Sequence, residues 1–177
     1  HYDPDATCPQ IQEFFEWAQP DKNQREQVYE EITYGFCPDH RIQKFFLWYG
    51  SGKNGKGTAA MIIRAIFGAE NISGHSIENL EIRNSNTYAQ ADVVTKKFNI
   101  CGDLPSTKVP FDFLKGATGN DIMPVREIRE KPYNVINGCK FIFMMNIAPQ
   151  FKDVTDGANR RIIVTEWGGQ VAEKDIE

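Results

Sequence analysis

Cysteine and histidine are scarce in this chain and scattered along it. Cys8, Cys37, Cys101 and Cys139 include no pair at the close spacing of a zinc site, and His1, His40 and His75 stand far apart. A metal framework built from them is excluded. Cys101 and Cys139 sit in or beside apolar, strand-like runs, where a cytoplasmic protein buries reduced thiols. No apolar run approaches the length of a membrane span, and no signal-peptide pattern opens the chain. The first residue is His1 rather than Met, so a piece of a longer protein is expected. A basic excess is also missing: the formal net charge is −4. Single-domain duplex binders usually carry a positive balance, which leaves only a local basic patch for any contact with nucleic acid. Internal repeats and low-complexity segments are absent.

What is present suffices for one domain with a small helical extension: 177 residues, 41% of them hydrophobic and 25% charged. Residues 8–19 place Ile11, Phe14, Phe15 and Ala18 on one helical face. Asp21 is a helix cap for a second helix over about 22–34, stopped by Gly35 and punctuated by Pro38. Residues 1–42 therefore read as a helical subdomain, a packing or intersubunit surface, ahead of a core over 43–177. In that core, apolar runs at 44–49, 98–101, 139–145 and 161–167 predict strands. Helices are expected over 56–67, about 86–96 and 111–117, and a polar, basic hairpin over 122–138, ending at the turn signal Asn137-Gly138. Strands alternating with helices predict an α/β fold with a mostly parallel central sheet flanked by helices.

Between the first strand and the next helix lies GSGKNGKGT, residues 50–58. A loop in this position can turn its backbone N–H groups inward around anionic oxygens, and the helix N-terminus adds a favourable dipole. Glycine is required where the loop visits positive φ or where a Cβ would hold phosphates off. Gly50, Gly52 and Gly55 supply that backbone, and Lys56 is the cation that reaches the β- and γ-phosphates. The usual pattern has Ser or Thr directly after the lysine, with its hydroxyl on magnesium. Here that place holds Gly57, and Thr58 follows one position later. Thr58 is thus expected near phosphate, or near the metal through water, rather than as a direct ligand.

With Asn54 ahead of Gly55-Lys56, the loop resembles that of superfamily 3 helicases, in particular the helicase domains of phage, plasmid and poxvirus primase–helicases. Four further stretches resemble the family in the same order. FNICGDLP, residues 98–105, ends an apolar strand in one acid, Asp103, where the family usually has Glu; the resemblance assigns it to Mg²⁺ and the attacking water. FDFLKGATGNDIMPVREIREKPYNV, residues 111–135, has Lys115, a glycine–acid turn, and the cations Arg126, Arg129 and Lys131. The family uses this block to grip single-stranded DNA in a central channel. Cations neutralise phosphates and Tyr133 can stack on a base, although Glu127 and Glu130 offset much of the charge and an exposed charged hairpin is the plain alternative. FIFMMNIAPQF, residues 141–151, places Asn146 after a strand; the resemblance sets it beside the γ-phosphate to orient the attacking water, a role an amide suits because it can donate to phosphate and accept from water. DVTDGANRRIIVTEW, residues 153–167, carries Arg160 and Arg161, one of which the resemblance makes an arginine finger acting on a neighbouring subunit's nucleotide.

The resemblance spans residues 5–167. It implies a P-loop, AAA+-like ATPase and DNA helicase that uses ATP and Mg²⁺. It further implies a hexamer-like ring around single-stranded DNA, part of a phage or plasmid replication protein fused to or associated with a primase or primase–polymerase. No membrane partner is implied, and the setting is cytoplasmic, the host's if the source is viral. In this picture Gly52, Asn54, Gly55, Lys56 and Gly57 wrap the triphosphate. Two alternatives stay open: a DNA-clamping ring that holds ATP with little hydrolysis, which Gly57 and the lone Asp103 favour, and a small P-loop phosphotransferase.

Overall fold

The computed structural model describes residue 3 and residues 5–81, 87–102, 112–147 and 156–169. Two helices open it, α1 (Pro9–Ala18) and α2 (Lys22–Thr33). The Asp21 carboxylate accepts from the Gln24 amide at 2.9 Å, satisfying one of the N–H groups that open α2. The helix tightens into a 3₁₀ turn over Tyr34–Phe36. Gly35 is there for space: a Cβ on it would lie 2.1 Å from the Phe98 ring.

The core alternates as expected. Strand β1 (Phe45–Tyr49) leads through the glycine loop into α3 (Lys56–Phe67). Then come β2 (Ile72–Ser73), α4 (Ile77–Glu81), α5 (Thr87–Val93), β3 (Phe98–Cys101) and α6 (Asp112–Thr118). A hairpin of β4 (Ile122–Val125) and β5 (Tyr133–Ile136) precedes β6 (Lys140–Met145), α7 (Asp156–Asn159) and β7 (Ile162–Glu166). β2 and α4 were not expected, because two and five residues are too short to show a period. α5 stops sooner than the expected 96. The amides of Thr95 and Lys96 bond to carbonyls three residues back, and the Thr95 hydroxyl donates to the Asp92 carbonyl at 2.7 Å, so the chain coils into a turn there.

Five strands form one parallel sheet in the order β2-β3-β6-β1-β7. Parallel strands are covered on both faces, which is why β1 reads FFLWY rather than alternating polar and apolar. Successive side chains point to opposite faces. Phe46 and Trp48 join Phe15, Val28, Ile32 and Ile63 in one core, so α1 and α2 cover that face together with α3. Phe45 and Leu47 join Leu80, Leu114, Phe141 and Phe143 in the other, under α4, α5 and α6. The hairpin packs there through Met123 and is a separate antiparallel pair. Its turn lies between Val125 and Tyr133; Asn137-Gly138, expected to end the hairpin, is the buried joint that feeds β6.

A carboxylate is buried in the first core. Glu31, 2% exposed, accepts from Trp48 Nε1 at 2.5 Å, the Thr165 hydroxyl at 2.6 Å and Gln27 Nε2 at 3.0 Å. Burial raises its pKa to about 7 against the three hydrogen bonds that lower it. The folded form thus holds a proton that the unfolded chain releases near 4.5. This contribution to stability is full below about 4.5 and is lost as pH rises through about 7. Stability should fall by up to about 1.4 kcal/mol per pH unit across that window. Glu31→Gln should flatten the slope of the thermal midpoint between pH 5 and 7; an unchanged slope would remove Glu31 as its source.

Candidate nucleotide site

The glycine loop is built around left-handed backbone. Gly52, Lys53 and Gly55 have φ of 59°, 50° and 92°. Gly55 is the N-cap of α3, and a Cβ on it would sit 3.0–3.2 Å from Ala18, Trp17 and Phe14. At Gly50 the demand is closeness: a Cβ would lie 2.4 Å from the Trp167 carbonyl oxygen and 2.3 Å from Asn54 Nδ2. Gly52 and Gly57 differ, since a Cβ on either would meet no protein atom within 4 Å. Both face open space, as a cradle for a bulky anion requires.

Two buried polar side chains brace the loop from inside. Asn54 Nδ2 donates to the Trp167 carbonyl at 3.1 Å, tying the loop to the end of β7. Lys56 Nζ donates to the Gly50 carbonyl at 2.7 Å and to Asn54 Oδ1 at 3.1 Å. Lys56 is 6% exposed, and burial lowers its pKa. Its ammonium is met by two neutral oxygens, so an entering anion supplies the missing counter-charge. The amides of Lys56, Gly57 and Thr58 open α3 and have no carbonyl a turn earlier in that helix.

Around this cradle is a cavity of about 460 Å³. Residues 52–58 form one wall, with Thr58 exposed, and Gly102, Met144, Met145 and Asn146 form the other. These residues come from the C-terminal ends of β3 and β6, the side of an open α/β sheet where ligands bind. The sheet thus brings Asn146 to the phosphate loop. Asp103, which follows Gly102, lies outside the described residues, as does Pro149. Among the described residues no group of three or more His, Cys, Asp or Glu could hold a metal ion. The described residues that line the cavity, 52–58, 102 and 144–146, carry no carboxylate that would repel an anion. The same residues present the N–H groups and ammonium that a polyphosphate needs.

The two arginines are at the far end of the sheet. Ile162 pairs with Phe45 and Glu166 with Tyr49, so Arg160 and Arg161 precede β7 where the glycine loop follows β1. Five strand residues at about 3.3 Å each separate them, roughly 16 Å. Arg160 is exposed. Arg161 is 9% exposed and donates from Nη1 to the Gly157 carbonyl at 2.7 Å.

Of the expected nucleic-acid contacts, Arg126, Arg129 and Lys131 stand exposed on the β4–β5 turn, with Arg129 at φ 63°. Tyr133 is 38% exposed and donates to Glu127 at 3.3 Å. Lys115 is apart from them, half-buried on α6 with Asp112 at 3.4 Å. Sequence reasoning missed the Trp167–Asn54 tie and the wall of Gly102 and Met144, because backbone carbonyls and thioethers carry no motif. Among the described residues no helix is long and apolar enough to cross a membrane.

Known proteins resemble this chain in sequence and in fold. The candidate helicase L207/L206 of Acanthamoeba polyphaga mimivirus is 28% identical over 165 residues, covering 90% of this chain. The chain spans only 17% of that relative's length. The apo A form of the NrS-1 C-terminal region superposes with a TM-score of 0.72 at 16% identity, over 97% of this chain and 41% of that one. The JCV helicase gives 0.58 at 15% identity, over 92% and 46%. The expected α/β P-loop architecture, a mostly parallel sheet flanked by helices, is borne out by these likenesses of fold. A model described as a family of unknown function, DUF5906, matches residues 48–161, from the strand before the phosphate loop to the second arginine, and the chain belongs to that family.

Proposed function

We propose that this chain is the ATPase core of a DNA helicase or translocase, assembled as a ring around single-stranded DNA. The observation that carries the reading is the meeting of Lys56, the Gly52–Gly57 cradle and Asn146 in one cavity. A triphosphate would seat on the α3 amides, with Lys56 leaving the Gly50 carbonyl for phosphate oxygens. Asn146 would orient the attacking water at the γ-phosphate, and Asp103 would share metal and water. Mg²⁺, when bound, neutralises charge on the phosphate oxygens. Arg160, exposed and remote from its own loop, would complete a neighbour's site; Arg161, turned inward, would position that segment. Gly55 and Thr58 line the cavity, and Gly50 supports the loop from beneath through its carbonyl.

The hairpin would carry the motion to DNA through Arg126, Arg129 and Lys131. The parent would be a phage or plasmid replication protein with a primase or primase–polymerase part, acting in the cytoplasm. ATP turnover measured with and without single-stranded DNA tests the reading: stimulation by DNA supports the motor. Binding without turnover supports the DNA-clamping platform, which Gly57 favours by removing the usual metal-ligating hydroxyl, and phosphate transfer to a small acceptor supports a phosphotransferase. Replacing the three hairpin cations together should lower the slope of log affinity against log salt by up to about 2, at roughly 0.7 per single-strand phosphate. An unchanged slope takes the hairpin out of the DNA path.

A further inference from the structure

Trp17 stands on the solvent side of α1, with Glu13 and Glu16 exposed beside it and Phe15 and Ala18 buried at 1% and 0% exposed. The other tryptophans, Trp48 and Trp167, are at 0% and 2%. Trp17 is 39% exposed. Leaving part of an indole in water forgoes burial worth about 25 cal/mol per Å². The ring is nonetheless at a defined place. Its Cζ3 edge would lie 3.1 Å from a Cβ on Gly55, and the Phe14 ring would lie 3.2 Å from the same point. The two rings are 6.1 Å apart and inclined at 43°. Gly55 is the pivot where the phosphate loop becomes α3, so an aromatic surface backs the loop at the seat of the polyphosphate.

This end of α1 is anchored. Gln19 Nε2 donates to the Glu166 carbonyl at 2.9 Å, and the Gly169 amide donates to the Ala18 carbonyl at 3.2 Å. The indole is therefore presented on a fixed element. The cavity also has a direction: Gly102, Met144, Met145 and Asn146 close it at the strand ends, where the terminal phosphate would react. The nucleoside end must leave past the loop rim, away from those strands. Base–aromatic stacking needs an accessible, firmly held aromatic ring, and Trp17, 39% exposed, stands against Gly55 of that rim.

We propose that Trp17, backed by Phe14, is the stacking platform for the purine ring of the nucleotide whose phosphates seat in the glycine loop. The inference rests on the phosphate-loop reading above and assigns the base to a site outside the phosphate cavity. Two probes separate them: ADP carries a base, and inorganic tripolyphosphate does not. In calorimetry both should bind the wild-type protein. ADP should quench tryptophan emission and tripolyphosphate should not. Trp17→Phe should remove the quench while leaving ADP affinity within about threefold, since a phenyl ring still stacks. Trp17→Ala should weaken ADP about tenfold or more and leave tripolyphosphate unchanged. ADP affinity unchanged in Trp17→Ala, or an equal loss for tripolyphosphate, would overturn the platform while the loop reading stands. If neither probe binds the wild type, both readings fall together.

Discussion

Lys56→Ala should lose ATP turnover by ~10²–10³-fold, the scale on which single donors to a developing charge act. It should also lose the rise in thermal midpoint that ATP or ADP produces in the wild type. The two losses share one cause. The ammonium is buried against the Gly50 carbonyl and Asn54 Oδ1, so it is already placed where a polyphosphate must sit. Removing it costs the unliganded protein little: the two oxygens lose a donor, but a buried charge with no ionic partner goes as well. A ligand present at a hundredfold its dissociation constant stabilises by about 2.7 kcal/mol, and that increment is what the variant should lack. A Lys56→Ala protein that keeps both the ligand shift and turnover would dissolve the nucleotide site altogether.

Arg160→Ala should leave nucleotide binding intact and lower hydrolysis by ~10³–10⁵, the range for an arginine supplied to a transferring phosphoryl group. The fold should be unaffected, because Arg160 is exposed. Arg161→Ala should behave otherwise. It strips a buried guanidinium from the Gly157 carbonyl, and the first effect should be a lower thermal midpoint. The separation of about 16 Å along the strands means that Arg160 cannot serve the loop of its own chain. Mixing two inactive proteins is the decisive measurement. A ring containing both Lys56→Ala and Arg160→Ala chains has some boundaries where an intact lysine meets an intact arginine. Turnover should return in the mixture. A mixture as silent as its components would eliminate action between subunits.

The glycine loop was legible because its conformational demands are local. Positive φ, a helix N-terminus and a lysine sit within one short stretch, and GSGKNGKGT carries all three. Strands β1, β3 and β6 were legible because a strand covered on both faces is a mostly apolar run, with Asn99 and Lys140 the polar exceptions in β3 and β6. The hairpin was visible as polar sequence, yet Asn137-Gly138 was read as the turn that ends it, when β5 stops at Ile136 and that asparagine is buried and bonded to the Ala117 and Cys139 carbonyls. A turn dipeptide marks a bend but not which elements meet there. The arginine pair was found as two equals; only burial separates Arg160 from Arg161.

The sequence by itself determined the alternation of strands and helices, the place of the glycine loop and the lysine that opens the helix after it. These depend on backbone freedom and hydrophobic period over a few residues. Tertiary structure decided the rest. The strand order β2-β3-β6-β1-β7 sets β6 beside β1 and so brings Asn146 to a loop about ninety residues earlier in the chain. The same order puts the arginines at the opposite end of the sheet, and the docking of α1 lays Trp17 against Gly55. Each of these is a contact between segments distant in the chain, and which strand lies beside which is settled by packing of the whole core.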